Sequence, residues 1–320
     1  MVRYQLVGMD LAGVRFAVSP LNELVLSLRA WRDPGRYPLN LRWLHALEGV
    51  RGSLDDAMLL ALTNSRLWTP DFLNPRPYSP LTRIDDELAL LAGTGPGVVR
   101  RGLREVHGTG RLPVPLRGAT ASVLARIVTA LTEYWRLCFE PHWPRMRALL
   151  EGDVTYRGRQ TARRGLATMF AGLSPTVRLV DNVVEVQLRS RLDYHRATDG
   201  ELTLVPSLWT INASTPISAD EPPLILYPAR GVATLWEPQA LPAPDALAGL
   251  LGATRAGLLI QLTTPASSTE LAVRLGVTTT AVNQHLRALH AGGLLVSARH
   301  GRSVLYRRSD LGDQLAGGRA

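Results

Sequence analysis

Residues 267–308 read Ser-Ser-Thr-Glu-Leu-Ala-Val-Arg-Leu-Gly-Val-Thr-Thr-Thr-Ala-Val-Asn-Gln-His-Leu-Arg-Ala-Leu-His-Ala-Gly-Gly-Leu-Leu-Val-Ser-Ala-Arg-His-Gly-Arg-Ser-Val-Leu-Tyr-Arg-Arg. Ser267 and Glu270 have the spacing of a capping box, in which hydroxyl and carboxylate each accept from a backbone N–H left unpaired at a helix start. Leu271, Ala272 and Leu275 give that helix one buried stripe. Gly276 and Val277 end it. Thr278 is placed to cap a second helix, with Thr279 and Thr280 in its first turn.

In the second helix Val282, Leu286 and Leu289 recur at i, i+4 and i+7, which turns one face to the core. Thr279, Thr280, Asn283, Gln284 and Arg287 then face outward. Asn and Gln can pair bidentately with adenine and Arg with guanine, while Thr offers a hydroxyl or a methyl. Gly292 and Gly293 close the helix, and two β-prone runs follow, residues 296–299 and 302–306, around His300 and Gly301. A glycine there allows the left-handed backbone of a two-residue hairpin. Arg299, His300 and Arg302 form its tip, where a cation reaches phosphate or the minor groove. Helix, turn, helix and hairpin together predict a winged helix-turn-helix that enters double-stranded DNA with Thr279 to Leu289 as recognition helix and Arg299 to Arg302 as wing. Such modules also serve dimerisation or protein docking, so the rival expectation is a ligand-binding protein or enzyme whose winged helix mediates assembly.

The charge distribution agrees with a polyanionic partner. The chain of 320 residues carries net charge +9 and no lysine, so every basic side chain other than histidine is arginine. From Ala246 onward eight arginines face three carboxylates, and basic density is concentrated there. The Arg, Ala and Leu bias is that of a GC-rich genome, as in actinobacteria. With 46% hydrophobic residues the chain can bury a large core, and its length suggests two domains. The amino terminus has no long apolar run before Asp10, so no signal peptide is read and a cytoplasmic location is expected. Residues 202–219 are uncharged but broken by Pro, Ser, Thr and Asn, so no membrane span is expected. Cys138 is the sole cysteine and can form no internal disulfide.

From Leu251-Gly-Ala-Thr-Arg-Ala-Gly-Leu-Leu-Ile-Gln-Leu262 through Glu270-Leu-Ala, Asn283-Gln-His-Leu and Ala291-Gly-Gly-Leu-Leu to Tyr306, the last quarter resembles the arsenical-resistance-regulator (ArsR) family of bacterial winged-helix repressors. That resemblance implies a homodimer that reads an inverted repeat, and repression as the sign of control. The family's metal sensors carry paired cysteines in the helix before the recognition helix, whereas the corresponding places here hold Ala272 and Arg274. Others use His and Asp after the wing, yet no histidine follows His300. No metal or cofactor is therefore expected, and His285, His290 and His300 read as structural.

The Pro-rich link at residues 241–245 divides the chain into an amino-terminal part, residues 1–241, and a carboxy-terminal part, residues 245–320, with Asp245 placed to cap the first helix of the latter. The amino-terminal part opens on a strand at residues 4–7. Helices follow, one from Ser19-Pro20 to Asp33-Pro34, one capped by Ser53, then residues 83–92, 98–107, 119–139 and 143–170. Strand character appears at residues 183–188, 201–205 and 224–227. The expected fold class is thus α+β: a mainly helical domain with a small sheet, then the winged helix.

Pro141-His-Trp-Pro-Arg-Met-Arg-Ala-Leu-Leu150 and Tyr227-Pro-Ala-Arg-Gly-Val-Ala-Thr-Leu-Trp236 resemble a domain of unknown function found ahead of winged helices in actinobacterial regulators. The resemblance implies no activity. Gly93-Thr-Gly-Pro-Gly97 follows a helix and reads as a turn; Asp85-Asp86-Glu87 opens a helix, where acids suit the dipole. No nucleophile elbow or ligand spacing occurs, and no enzyme is expected. The seven tryptophans, Trp31, Trp43, Trp68, Trp135, Trp143, Trp209 and Trp236, are core or the wall of an effector pocket for a small organic molecule; a protein partner is the other possible effector. Arg145, Arg147, Arg157, Arg159, Arg163 and Arg164 form a solvated face or a second DNA contact.

Overall fold

The computed structural model describes residues 1–7, 13–79, 82–236, 244–300 and 303–316. The chain is α+β, helix-rich with three small sheets, and divides into two compact units, Met1–Glu237 and Pro238–Ala320. Among the described residues no helix is long and apolar enough to cross a membrane.

The first unit opens with strands β1 (Val2–Gln5) and β2 (Val14–Phe16) and continues into helix α1 (Pro20–Arg32). Ser19 caps α1, accepting from the Asn22 N–H at 3.0 Å, with proline at the first helical position as the sequence suggests. Residues 20–28 of α1 are all buried, the pattern of a helix enclosed on every side. Short helices α2 (Leu41–Ala46), α3 (Glu48–Arg51) and α4 (Asp56–Ala61) follow, then α5 (Ile84–Ala92), α6 (Pro96–His107), α7 (Thr120–Tyr134) and α8 (Trp143–Leu173).

Two of the helical expectations need correction, and the expected run at residues 119–139 is helical from Thr120 onward. Asp55, not Ser53, caps α4, its carboxylate accepting from the Met58 N–H at 3.0 Å. A π turn over Trp135–Phe139 prolongs α7 and keeps Trp135, Cys138 and Phe139 buried. Gly165, at φ 77° and ψ 170°, breaks α8 into two helical stretches. That conformation is essentially restricted to glycine.

Strands β3 (Val177–Val180), β4 (Val183–Val186), β5 (Tyr194–Ala197), β6 (Leu202–Ser207) and β7 (Leu224–Pro228) complete two sheets, and helix α9 (Val232–Leu235) ends the unit. One sheet has the order β3-β4-β1-β5, with β1 antiparallel to β4 and parallel to β5; the other is parallel, in the order β2-β6-β7. Every residue of β6 is buried. Leu202 and Leu204 join the core of the four-stranded sheet, while Val205, on the opposite face, joins the helical core. The parallel sheet is thus the layer between two hydrophobic cores, as strands covered on both faces require.

Six tryptophans belong to the helical core. Trp43 meets Trp209 at 4.7 Å and Phe139 at 5.3 Å between ring centres, and Trp135 meets Trp143 at 5.2 Å. The expected arginine face also loses a member. Arg157 is buried, 3.6 Å from the buried Asp153 one turn back, whereas Arg145, Arg147, Arg159, Arg163 and Arg164 are exposed.

The second unit contains α10 (Pro244–Leu251), α11 (Ala253–Gln261), β8 (Ala266–Ser267), α12 (Ser268–Leu275), α13 (Thr279–Ala291), β9 (Leu295–His300), β10 (Ser303–Arg308) and α14 (Asp310–Leu315). The side chain of Asp245, expected as a cap, lies outside the described residues. The three strands pair antiparallel in the order β8-β10-β9. Their core joins Leu258, Leu259, Leu271, Val282, Leu286 and Leu295. The sequence suggests only a Gly-rich tail after Tyr306; α14 shows instead that a helix forms there. Ser309 caps it, accepting from the Gly312 N–H at 3.1 Å, and a Cβ on Gly312 would stand 2.1 Å from the Leu294 carbonyl oxygen. Arg308, 7% exposed, donates to the Ile260 carbonyl at 2.8 Å and to Asp313 at 3.3 Å, tying α11, β10 and α14 together.

Candidate nucleic-acid interface

The capping box forms at the start of α12. The Glu270 carboxylate accepts from the Ser267 N–H at 2.6 Å, and the Ser267 hydroxyl accepts from the Glu270 N–H at 3.3 Å. The Ser267 N–H, and after it the Ser267 hydroxyl donating to the same carboxylate at 2.9 Å, hold the Glu270 carboxyl below its ordinary value. Gly276 closes the helix in the left-handed conformation, φ 66°. Three residues later α13 begins, and Thr278 accepts from the Ala281 N–H at 3.3 Å. Its hydroxyl is therefore engaged in the cap, leaving its methyl as the group with no local task.

Val282, Leu286 and Leu289 are buried, and they fix the rotation of α13. Thr280 and Gln284 lie opposite them, and Thr279, Asn283 and Arg287 form the row on the flank between. Thr280, Gln284 and Arg287 are exposed, Thr279 and Asn283 half-buried. Among the described residues no hydrogen bond or ion pair engages Thr280, Gln284 or Arg287. A helix of 13 residues is about 20 Å long and, with its side chains, about as wide as the major groove.

The hairpin pairs Ser303 with His300 and Val304 with Arg299. Arg299 is exposed. Of the expected tip residues, Arg302 and the side chain of His300 lie outside the described residues. The Ser297 hydroxyl stands 3.4 Å from the His290 imidazole, linking β9 to the end of α13. His285 is half-buried with Nδ1 enclosed, and His290 is exposed. Among the described residues no three His, Cys, Asp or Glu side chains gather as metal ligands would.

No family model, curated protein or solved structure matches the chain.

Arg274 on α12 and Arg307 on β10 are exposed, and Glu270, one turn before Arg274, is spent on the cap. Arg308, adjacent to Arg307, has a structural role that no spacing in the sequence reveals.

Proposed function

We propose that the chain is a DNA-binding transcription regulator of the winged helix-turn-helix type, acting as a homodimeric repressor on an inverted repeat. The carrying observation is the free polar face of α13, where Thr280, Gln284 and Arg287 have no partner among the described residues while three buried side chains lock the helix beneath them. Unpaired amide and guanidinium groups on a rigid helix suit base edges. Arg274, Arg299, Arg302 and Arg307 supply phosphate contacts, which position without specifying. The resemblance to arsenical-resistance repressors, with Ala272 and Arg274 in place of thiolates, supports control without metal. The first unit, with a hydrophobic core of its own, is the part in which the main dimer contact and the effector site are sought.

The test is binding to genomic fragments at two salt concentrations. Selective binding that weakens steeply with salt is expected, with half-sites about one helical turn apart. Binding without sequence preference would overturn the regulator. A second reading, assembly through this unit, draws on Leu250 and Val273, which are 77% and 80% exposed. It requires that Val273→Asp abolish self-association and that DNA have no effect.

A further inference from the structure

A cavity of about 200 Å³ opens in the first unit, bounded by α1, the loop around Trp68 and the segment between β6 and β7. Its lining is rich in cations. Arg29, Arg36, Arg66 and Arg189 contribute to it, and Asp71 is the one carboxylate. That carboxylate is already occupied, accepting from the Ile217 and Ser218 N–H groups at 2.9 and 2.8 Å.

Arg29 is the informative residue. Among the described residues its guanidinium has no carboxylate partner and donates no hydrogen bond; its Nε is enclosed without a partner, while its terminal nitrogens are not among the enclosed atoms. Burial lowers its pKa, with the nearby Tyr37 acting the other way. Arg29 is half-buried: its Nε is shut from water, while its terminal nitrogens are open and have no counter-charge among the described residues, which leaves the guanidinium fork available to an anion. A further lining donor is without a partner, since the Thr210 hydroxyl is enclosed and unpartnered. The wall is mixed: Gln187, Ser190, Asn212 and Ser214 are polar, and the apolar part is formed by Trp68 and Leu188, which are half-buried, and Ile211, 47% exposed.

We propose that this cavity binds a small aromatic carboxylate, its anion paired with Arg29 and its ring against Trp68, Leu188 and Ile211. A cavity of about 150 Å³ accommodates benzene, so the volume here suits one ring bearing a carboxylate. Binding itself does not depend on what the second unit does. The further role of this ligand as effector rests on the DNA-binding reading.

The experiment titrates benzoate into the full chain by calorimetry without DNA, so that its failure and that of the DNA reading are told apart. Benzamide, the neutral isostere, is the control. Saturable benzoate binding at one site is expected, with benzamide weaker by about tenfold or more. Arg29→Gln should lose benzoate binding by a similar factor yet melt no lower than the parent, because a half-buried charge without a counter-charge is gone. Ile211→Glu, at an exposed rim position that leaves the fold intact, should weaken benzoate by about tenfold by placing a like charge beside it. Absence of saturable binding, equal binding of benzamide, or unchanged binding in Ile211→Glu would each overturn the proposal.

Discussion

Glu23 lies on α1 without exposed surface, one oxygen accepting from the Leu208 N–H at 3.0 Å and the other unpartnered. Burial outweighs that hydrogen bond and a further one from Ser207, and pushes its carboxyl up to about 8. A raised carboxyl means that the folded state binds the proton more tightly than the unfolded one. Its contribution is fully present below the ordinary value and is lost as pH rises from there toward 8. Glu23→Gln should therefore match the parent near pH 5 and exceed it near pH 8 by a margin on the order of a few kcal/mol, read by urea unfolding. A parent lagging equally at both pH values would refute the assignment. Glu87, whose carboxylate accepts from the Ser19 hydroxyl and the Leu21 N–H, is pushed by burial to about 7 and leaves part of the slope in the variant. On α13, Gln284→Ala should relax preference at one base pair by roughly 1–3 kcal/mol. Arg302→Ala should weaken all sequences alike, and equal effects of the two changes would remove the division between reading and positioning.

Helices announced themselves where local chemistry suffices. Ser19 with Pro20, and Ser267 with Glu270, cap their helices without help from distant residues, and the hydrophobic stripe of α13 needs only its own period. Ser267→Ala should lower the protection of α12 amides against exchange by about 1 kcal/mol. Exchange is the suitable probe because all seven tryptophans lie in the first unit. Gly312→Ala should loosen α14 from β9 and β10, since the added methyl meets the Leu294 carbonyl; unaltered exchange in α14 would refute that packing. Strands were less legible. The sequence points to β4, β6 and β7 through their Val and Leu runs, but gives no sign of β2, β3 or β5. Strand β5 reads Tyr-His-Arg-Ala with no strongly apolar face and owes its place to pairing with β1. Arg308 and Gly165 were silent for the same reason, because their roles depend on Ile260, Asp313 and a bend seen only in three dimensions. On the second unit, the buried side of α13 was legible from periodicity, while the burial of Arg308 beside an exposed Arg307 was not.

The two units have separate hydrophobic cores, and their unfolding should be reported differently by different probes. Tryptophan fluorescence follows only the first unit, whereas far-ultraviolet circular dichroism follows both. Non-coincident urea transitions are expected, and superimposable ones would show a single cooperative molecule. Within the first unit, β1 pairs with strands some 190 residues away, as the Arg3–Asp193 contact at 3.0 Å marks. Closing so long a loop precedes any reward from the sheet. During synthesis the segment carrying β1 therefore leaves the ribosome roughly ten to forty seconds before β5 is made. For that interval its valine and tyrosine side chains have no sheet to enter, and the nascent chain exposes a strand edge. A chain stalled before Asp193 should leave that segment open to protease, and one stalled well past Pro228 should protect it, so the tempo of translation becomes part of how this unit reaches its fold.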